Sequence, residues 1–319
     1  MTSSRVDHNH EHEHKPDTIV SYTEHELPQR KVSFDFSSTP LHWLPDDPFS
    51  SHFISEIHMI LPAGEFWFCR LYNQALPQVQ DANMREAVKG FIRQEAVHGR
   101  AHSTAIPGYL EARGIETRRY RQRIDWVFEK LLSDSPFGVR LPTFLVQMWL
   151  LFRLGIIASI EHFTCILGKY VIEHPYFDQG DAVMVDMLRW HGAEEIEHRC
   201  VAFDLYEHLG GSYLMRYVMF ALIAPILLYL WMSGAASIMA QDPALREHKP
   251  SFWRPWFWLE WWRMAALGHL PSLWWLIKET LRYLRLDYHP INEASTEQAQ
   301  AYLESSPAVI AAMKAQTSA

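Results

Sequence analysis

From about Asp46 to Gly211 apolar residues recur every three to four positions, and the breaks between these stretches are short and marked by Pro, Gly or Asp. That period puts the apolar side chains on one face of a helix. Pro62 suits a helix start, followed by Phe66, Trp67, Leu71 and Tyr72, with Pro77 closing it. Asp81 is placed to cap a long helix through Met84, Val88, Phe91, Ile92, Val97 and His98. A basic, more exposed helix is expected from Arg118 to Leu132, and Pro142 opens a strongly apolar one that carries Ile156 to His162. Asp181 caps the next, which contains Met184, Leu188, His191, Glu195, His198, Ala202 and Leu205 and ends at Gly210-Gly211. No period-2 alternation or hairpin signal stands out, so the pattern predicts an all-α fold.

The second half differs in kind. Tyr217 to Ala240 is 24 residues without Asp, Glu, Lys, Arg or His. As a helix it would be about 36 Å long, enough for a bilayer core. A polar break at 241–250 precedes Trp253, Trp256, Trp258, Trp261, Trp262, Trp274 and Trp275, seven of the chain's 13 tryptophans, with Arg254, Arg263, Arg282 and Arg285 among them. Indole and guanidinium together suit the headgroup zone of a membrane. The competing reading is a buried core helix, or a contact with a second copy of the chain in a homodimer. Four regions result: a polar, His-rich, disordered tail over 1–45, a helical bundle over 46–211, apolar and membrane-associated helices over 212–290, and a polar tail over 291–319. His8, His10, His12 and His14 make the first tail a loose metal-binding candidate, with a solvated tail as the ordinary reading.

Inside the bundle, polar residues interrupt the apolar faces in an ordered way. Glu95-Ala96-Val97-His98 and Glu195-Ile196-Glu197-His198 each place a Glu three residues before a His. Each pair follows another Glu, with Glu65 thirty residues before Glu95 and Glu161 thirty-four before Glu195. This order is the ligand set of a two-metal site in a four-helix bundle. Residues three apart share a helix face, so each pair can offer one carboxylate and one imidazole to a metal. Four carboxylates also neutralise two divalent ions in a dry core. A single such pair is weak evidence: with 18 His in the chain, Glu11 and His14 form one in the tail. His191 lies four residues before Glu195 and seven before His198, on the same stripe. It is expected as a seventh ligand, the alternatives being a hydrogen-bond donor to a ligand or a buried core histidine. His102 could support the ligands from behind, whereas Glu194, Glu197 and His162 are expected to face elsewhere. Phe68, Trp149 and Phe163 could shape a pocket, though core packing is their ordinary role. No catalytic side chain is separable from the metal ligands.

The six-residue pattern resembles the ferritin-like di-iron carboxylate proteins. With His191 it is similar to the p-aminobenzoate N-oxygenase branch, whose last helix adds a His one turn before its Glu-x-x-His. Glu65-Phe66-Trp67-Phe68 and Arg93-Gln94-Glu95-x-x-His98-Gly99 are also similar to a bacterial family labelled predicted metal-dependent hydrolases. The resemblance spans roughly residues 35 to 290, and nothing in it is specific for a substrate. It implies a ferritin-like four-helix bundle holding two metal ions, Fe first, with Mn or Zn as alternatives.

The leading expectation is an O2-activating oxidoreductase, oxygenase or oxidase, acting on an apolar small molecule, with an electron donor the sequence does not identify. The alternative is a metal-dependent hydrolase using the same site. A non-catalytic iron-binding protein is a third reading, against which the long apolar half argues. A net charge of −8 gives no reason to expect nucleic acid as a partner. Cys69, Cys165 and Cys200 form no metal motif or disulfide framework, and no secretory signal opens the sequence. A cytoplasmic protein on the inner face of the membrane, with the bilayer as a partner, is the expected location.

Overall fold

The computed structural model describes residues 26–317, and the described residues form helices and turns without a strand. The fold is all-α, as the apolar period predicts. α1 (Pro48–Ser55) starts on Asp47, whose carboxylate accepts from the Ser50 amide. α2 spans Ile57–Ala75, so Pro62 lies inside it rather than at its start. The proline removes one intrahelical bond, to the His58 carbonyl. Burial of Ile57, Met59 and Ile60 in the turn before it keeps the helix continuous all the same.

α3 (Ala82–Ala105) is capped by Asp81, which accepts from the Met84 amide. α4 (Arg118–Trp126) is the basic helix and runs into one wider turn ending at Leu131. α5 (Thr143–Glu173) follows Pro142. Asp181 caps α6 (Ala182–His198) by accepting from the Met184 amide. The pattern predicts that this helix runs on to Gly210, but it breaks at Arg199-Cys200 and restarts as α7 (Val201–His208). Arg199 supplies the reason: its guanidinium donates to the Ile196 carbonyl and to the carbonyls of Pro290 and Ile291, so this turn is tied to the C-terminal segment.

α2 packs along α3 and α5 along α6, while α2 also meets α5 and α3 meets α6. Four inward faces therefore surround one core. α5 and α6 come into backbone contact at Gly168 and Gly192. A Cβ built on Gly168 would lie 2.7 Å from the Gly192 Cα, so only glycine lets these two backbones touch. That contact brings His191 and Glu195 up against α5.

α8 (Tyr213–Met239) begins at Ser212, which accepts from the Met215 amide, and packs on α5, α1 and α2. α9 (Pro255–Ala266) and α10 (Leu273–Leu281) carry most of the tryptophan cluster. By length and composition, α5 and α8 are the two described helices that could cross a membrane.

Two expectations about the ends need correction. The polar pattern extends the tail to residue 45, but Leu27, Phe36, Trp43 and Leu44 are buried in the main core. These apolar residues are too widely spaced to show a helical period, so the sequence pattern conceals them. The His8 to His14 tract lies outside the described residues. The region after Ile291 contains α11 (Thr296–Ser305) and α12 (Pro307–Thr317), which pack on α6. Buried Asp186 joins the two to α6, accepting from the Tyr302 and Ser306 hydroxyls and the Ala308 amide.

Candidate metal centre

All seven sequence-derived candidates meet in the core between α2, α3, α5 and α6. Glu65 comes from α2, Glu95 and His98 from α3, Glu161 from α5, and His191, Glu195 and His198 from α6. Every one of them is buried. Glu65, Glu95 and His98 form one metal-capable group, Glu95, Glu161 and His198 a second, and His98, His191 and Glu195 a third, each with donor atoms within 4.8 Å of one another. Glu95 stands between the first two: its Oε1 is 3.2 Å from His98 Nδ1 and 3.3 Å from His198 Nε2. Glu195 reaches the same two rings, with Oε1 3.4 Å from His98 Nδ1 and Oε2 3.6 Å from His198 Nε2. Both carboxylates therefore lie against both inner imidazole nitrogens.

The donor chemistry fits a metal. Both oxygens of Glu65, Glu95 and Glu161, Nδ1 of His98 and Nε2 of His198 are buried and make no hydrogen bond. So many unsatisfied polar atoms facing one another would be costly in a core unless a cation joins them. The outer nitrogen of each histidine, by contrast, has a partner. His98 Nε2 donates to Glu194 at 2.9 Å and His198 Nδ1 donates to the Gln94 carbonyl oxygen at 3.0 Å. Each bond puts the proton on the outer nitrogen and leaves the inner lone pair free, as metal-ligating histidines require.

His191 belongs to a longer chain. Its Nδ1 is 3.0 Å from His102 Nε2, and His102 Nδ1 is 3.0 Å from His58 Nδ1. His58 Nε2 ends the chain beside the Met184 sulfur at 3.3 Å. His191 Nε2 donates to Glu195 Oε1 at 2.8 Å and lies 3.6 Å from Glu65 Oε1; an outward donor order along the chain would free that nitrogen for a metal. Burial lowers the pKa of all three rings, His58 to about 3, so the chain is neutral. His102 therefore holds the supporting place the sequence suggests. His58 escapes sequence reading because it lies on α2, far along the chain from its partners.

A second layer surrounds the histidines. Glu194 and Glu197, expected to face elsewhere, are buried and grip Arg30 from the N-terminal segment. The Arg30 Nη1 donates to Glu194 at 2.9 Å and to Glu197 at 2.8 Å, and its Nη2 donates to Glu197 at 3.0 Å. Gln94 Nε2 adds a bond to Glu197 at 2.7 Å, so one arginine steadies the partners of both His98 and His198. The Thr164 hydroxyl donates to Glu195 Oε2.

The four carboxylates cannot all carry charge side by side in a dry core. Burial and the neighbouring Glu95 push Glu65 far above the carboxylate range, and burial with Glu195 pushes Glu161 up to about 8. Burial resists charge on His98 and His198, yet the surrounding glutamates drive both well above the imidazole range. Two divalent ions would supply the four positive charges that these groups otherwise gain by taking up protons.

A cavity of about 150 Å³ ends on Glu65, Glu95, Glu161 and Glu195. Its other walls are almost all carbon, among them Phe68, Phe163, Leu227, Trp231 and Leu276, with Thr164 and Thr280 as the polar exceptions. Phe68 and Phe163 thus do shape the pocket. Trp149 does not line it: its indole donates to the Ser133 carbonyl and stacks on Phe152. His162, also outside the centre, bonds the Tyr288 hydroxyl and the Glu279 carbonyl. A separate group of His42, His52 and Asp242 is already held together by hydrogen bonds of 2.7 Å from both imidazoles to one Asp242 oxygen.

The chain belongs to a family described as predicted metal-dependent hydrolase, whose model matches residues 28–294. No curated protein and no solved structure matches it.

Proposed function

We propose that this member of the family is an enzyme that holds two metal ions on Glu65, Glu95, His98, Glu161, His191, Glu195 and His198 and acts on an apolar small molecule. The observation that carries this reading is the arrangement of His98 and His198, whose outer nitrogens are bonded while their inner nitrogens, without a hydrogen bond, face the unpartnered carboxylates of Glu95 and Glu161. Glu95 and Glu195, each close to both His98 and His198, would be the ligands best placed to serve both ions. Arg30, Gln94, Glu194 and His102 hold the imidazoles in place, and the carbon-lined cavity selects the substrate and excludes water.

Hydrolysis is the reaction supported by the family description. A second reading, oxidation of the substrate by O2, is favoured by the cavity itself. Beyond the carboxylate ligands its polar groups are two threonines, and a hydrolase ordinarily needs a general acid or base beside its metal. Bound metal would supply Lewis acidity to water in the first case and electrons to O2 in the second. Iron, manganese and zinc all suit this donor set.

The test is elemental analysis of the protein purified from its own host, followed by two assays. Reconstitution with Zn(II) or Mn(II) and turnover of p-nitrophenyl esters of increasing acyl length supports hydrolysis. O2 uptake by anaerobically Fe(II)-loaded protein, without ester cleavage, supports oxidation. Protein that binds less than one metal per chain after loading overturns both.

A further inference from the structure

We propose that the exposed face built by α8, α9 and α10 lies in the surface of a lipid bilayer, and that the cavity opening between these helices draws a single apolar chain from that bilayer to the buried carboxylates. This rests on the reading of the site as an enzyme for apolar substrates, and it adds where the substrate comes from and how it enters.

The first observation is a stripe along α8. Leu214, Val218, Leu222, Ile226 and Tyr229 recur every three to four residues, with Tyr217 beside Val218, and all are exposed. They run for about 22 Å along one side of the helix, with no charged residue from Tyr217 to Ala240. α10 continues the surface with exposed Trp274, Ile277 and Leu281, and α9 with Leu259 and Trp262. A contiguous apolar face of this extent marks a binding surface rather than ordinary solvent contact.

The second observation is what borders it. Trp253, Trp262 and Trp274 are 78 %, 73 % and 74 % exposed. Arg254, Arg263 and Lys278, each next to one of these residues or one turn away, are exposed as well. Arg119 and Arg123 of α4 share a groove with Leu230 of α8 and the exposed Trp126. An apolar stripe flanked by half-wet indoles and by cations fits acyl chains beneath phosphate headgroups. Arg263 is paired with Glu260, so the charge complementarity with an anionic lipid surface is carried by Arg254, Lys278, Arg119 and Arg123.

The third observation is the mouth of the cavity. Its lining includes the carboxylate cluster, Leu227 and Leu228 of α8, and Leu273, Leu276 and Ile277 of α10, and we place its mouth where the exposed ones among these lie. Leu273 and Ile277 are exposed members of the same apolar face. A chain leaving the bilayer there would pass into a carbon-lined space without crossing water.

The helix lies on the membrane and does not cross it. Its other side buries Met219, Phe220, Met232, Ala236 and Met239. Even so, only 28 % of its most apolar window is buried, against 50 % for α5. A helix packed on one side against a core that carries four glutamates cannot be ringed by lipid. The bilayer therefore meets one face of it.

Full-length protein is tested by flotation with vesicles of phosphatidylcholine alone and with added phosphatidylglycerol, at low and high salt. Binding to both is expected, stronger to the anionic vesicles, and only the excess on anionic vesicles should fall with salt. The double variant Leu222→Glu/Ile226→Glu, at exposed positions, should keep its helix content and metal content but lose at least tenfold in vesicle binding. Ile277→Trp, at the mouth, should keep vesicle binding and metal while weakening uptake of cis-parinaric acid at least tenfold. Absence of parent flotation overturns the membrane part. So does a double variant that floats like the parent but turns a dimer into a monomer, which would make the stripe a contact with a second copy. Unchanged cis-parinaric acid binding by Ile277→Trp overturns the portal. Metal content is measured separately, so loss of metal with vesicle binding intact counts against the enzymatic reading and not against this surface.

Discussion

Replacing Arg30 by Ala should damage the metal centre from outside it. The guanidinium makes three hydrogen bonds of 2.8–3.0 Å to two buried carboxylates, whose side chains are 0 % and 4 % exposed. Removing one partner of a buried ion pair leaves uncompensated charge and costs about 3–5 kcal/mol. In a chain of this size that is a fall in Tm on the order of 10 °C. Glu194 orients His98, and Glu197 orients His198 through Gln94, so metal affinity should drop by roughly 10–100-fold while the saturated metal content stays the same. The loss should also depend on pH. Burial pushes the Glu194 carboxyl up, but the His98 bond and Arg30 outweigh it and hold it below the usual range. The stabilisation is present above the ordinary carboxylate pKa and disappears as acid protonates the group. Without Arg30 the carboxyl takes a proton more readily, so the gap in Tm between parent and Arg30→Ala should be full above the ordinary carboxylate pKa and narrow as the pH falls below it. Arg30→Lys keeps the charge but not the forked geometry and should fall between them. Thermal unfolding and competitive metal titration across this range make the check. Arg30→Ala with the parent's Tm and metal affinity at pH 7 would refute the reasoning.

Glu95→Ala and Glu195→Ala each remove a carboxylate close to both His98 and His198 and should abolish most metal binding by elemental analysis. In the parent, affinity should rise with pH through about 8, where Glu161 gives up its proton. His191→Ala should still bind metal but alter the absorption spectrum of Co(II)-substituted protein; an identical spectrum would make His191 a core residue. His102→Phe should weaken binding by about 10–100-fold through the orientation of His191, and an unchanged titration curve would show that the imidazole chain does not matter. Glu56, fully buried with both carboxylate oxygens unpartnered, is pushed well above 4.5 by burial. A raised carboxyl pKa loses stability as pH rises above the unfolded value. Glu56→Gln should therefore gain up to about 1.4 kcal/mol per pH unit over the parent above that point, and parallel stability curves would count against it.

The cluster of seven donor residues was legible because each part of it is local. A Glu three residues before a His is a statement about one helix face, and the intervals from Glu65 to Glu95 and from Glu161 to Glu195 fit a helix, a turn and a helix. What supports those residues was hidden, because it is made across the chain. Arg30 sits in a stretch with no period and reaches residues more than 160 positions away. His58 meets His102 only when α2 lies along α3. The break at Arg199 depends on carbonyls from Pro290 and Ile291, which no local pattern announces. Pro62 misled for the opposite reason: a local rule about helix starts was overridden by burial of the residues before it. The polar composition after Ile291 likewise hid two helices that lean on Asp186.

The walls of the cavity have a consequence for how this molecule can be cut and recombined. Leu227, Trp231 and Leu276 are at once the ceiling over the carboxylates and part of the apolar C-terminal half. The region that looks detachable in a hydropathy profile is therefore not a module. A chain shortened to Gly211 would keep all seven donor residues but let bulk water stand over them, raising the local dielectric and weakening the charge interactions that set their protonation. Swapping this half for a foreign anchor would restore location without restoring dryness. Any change to α8 or α10 is in effect a change to the solvent of the site.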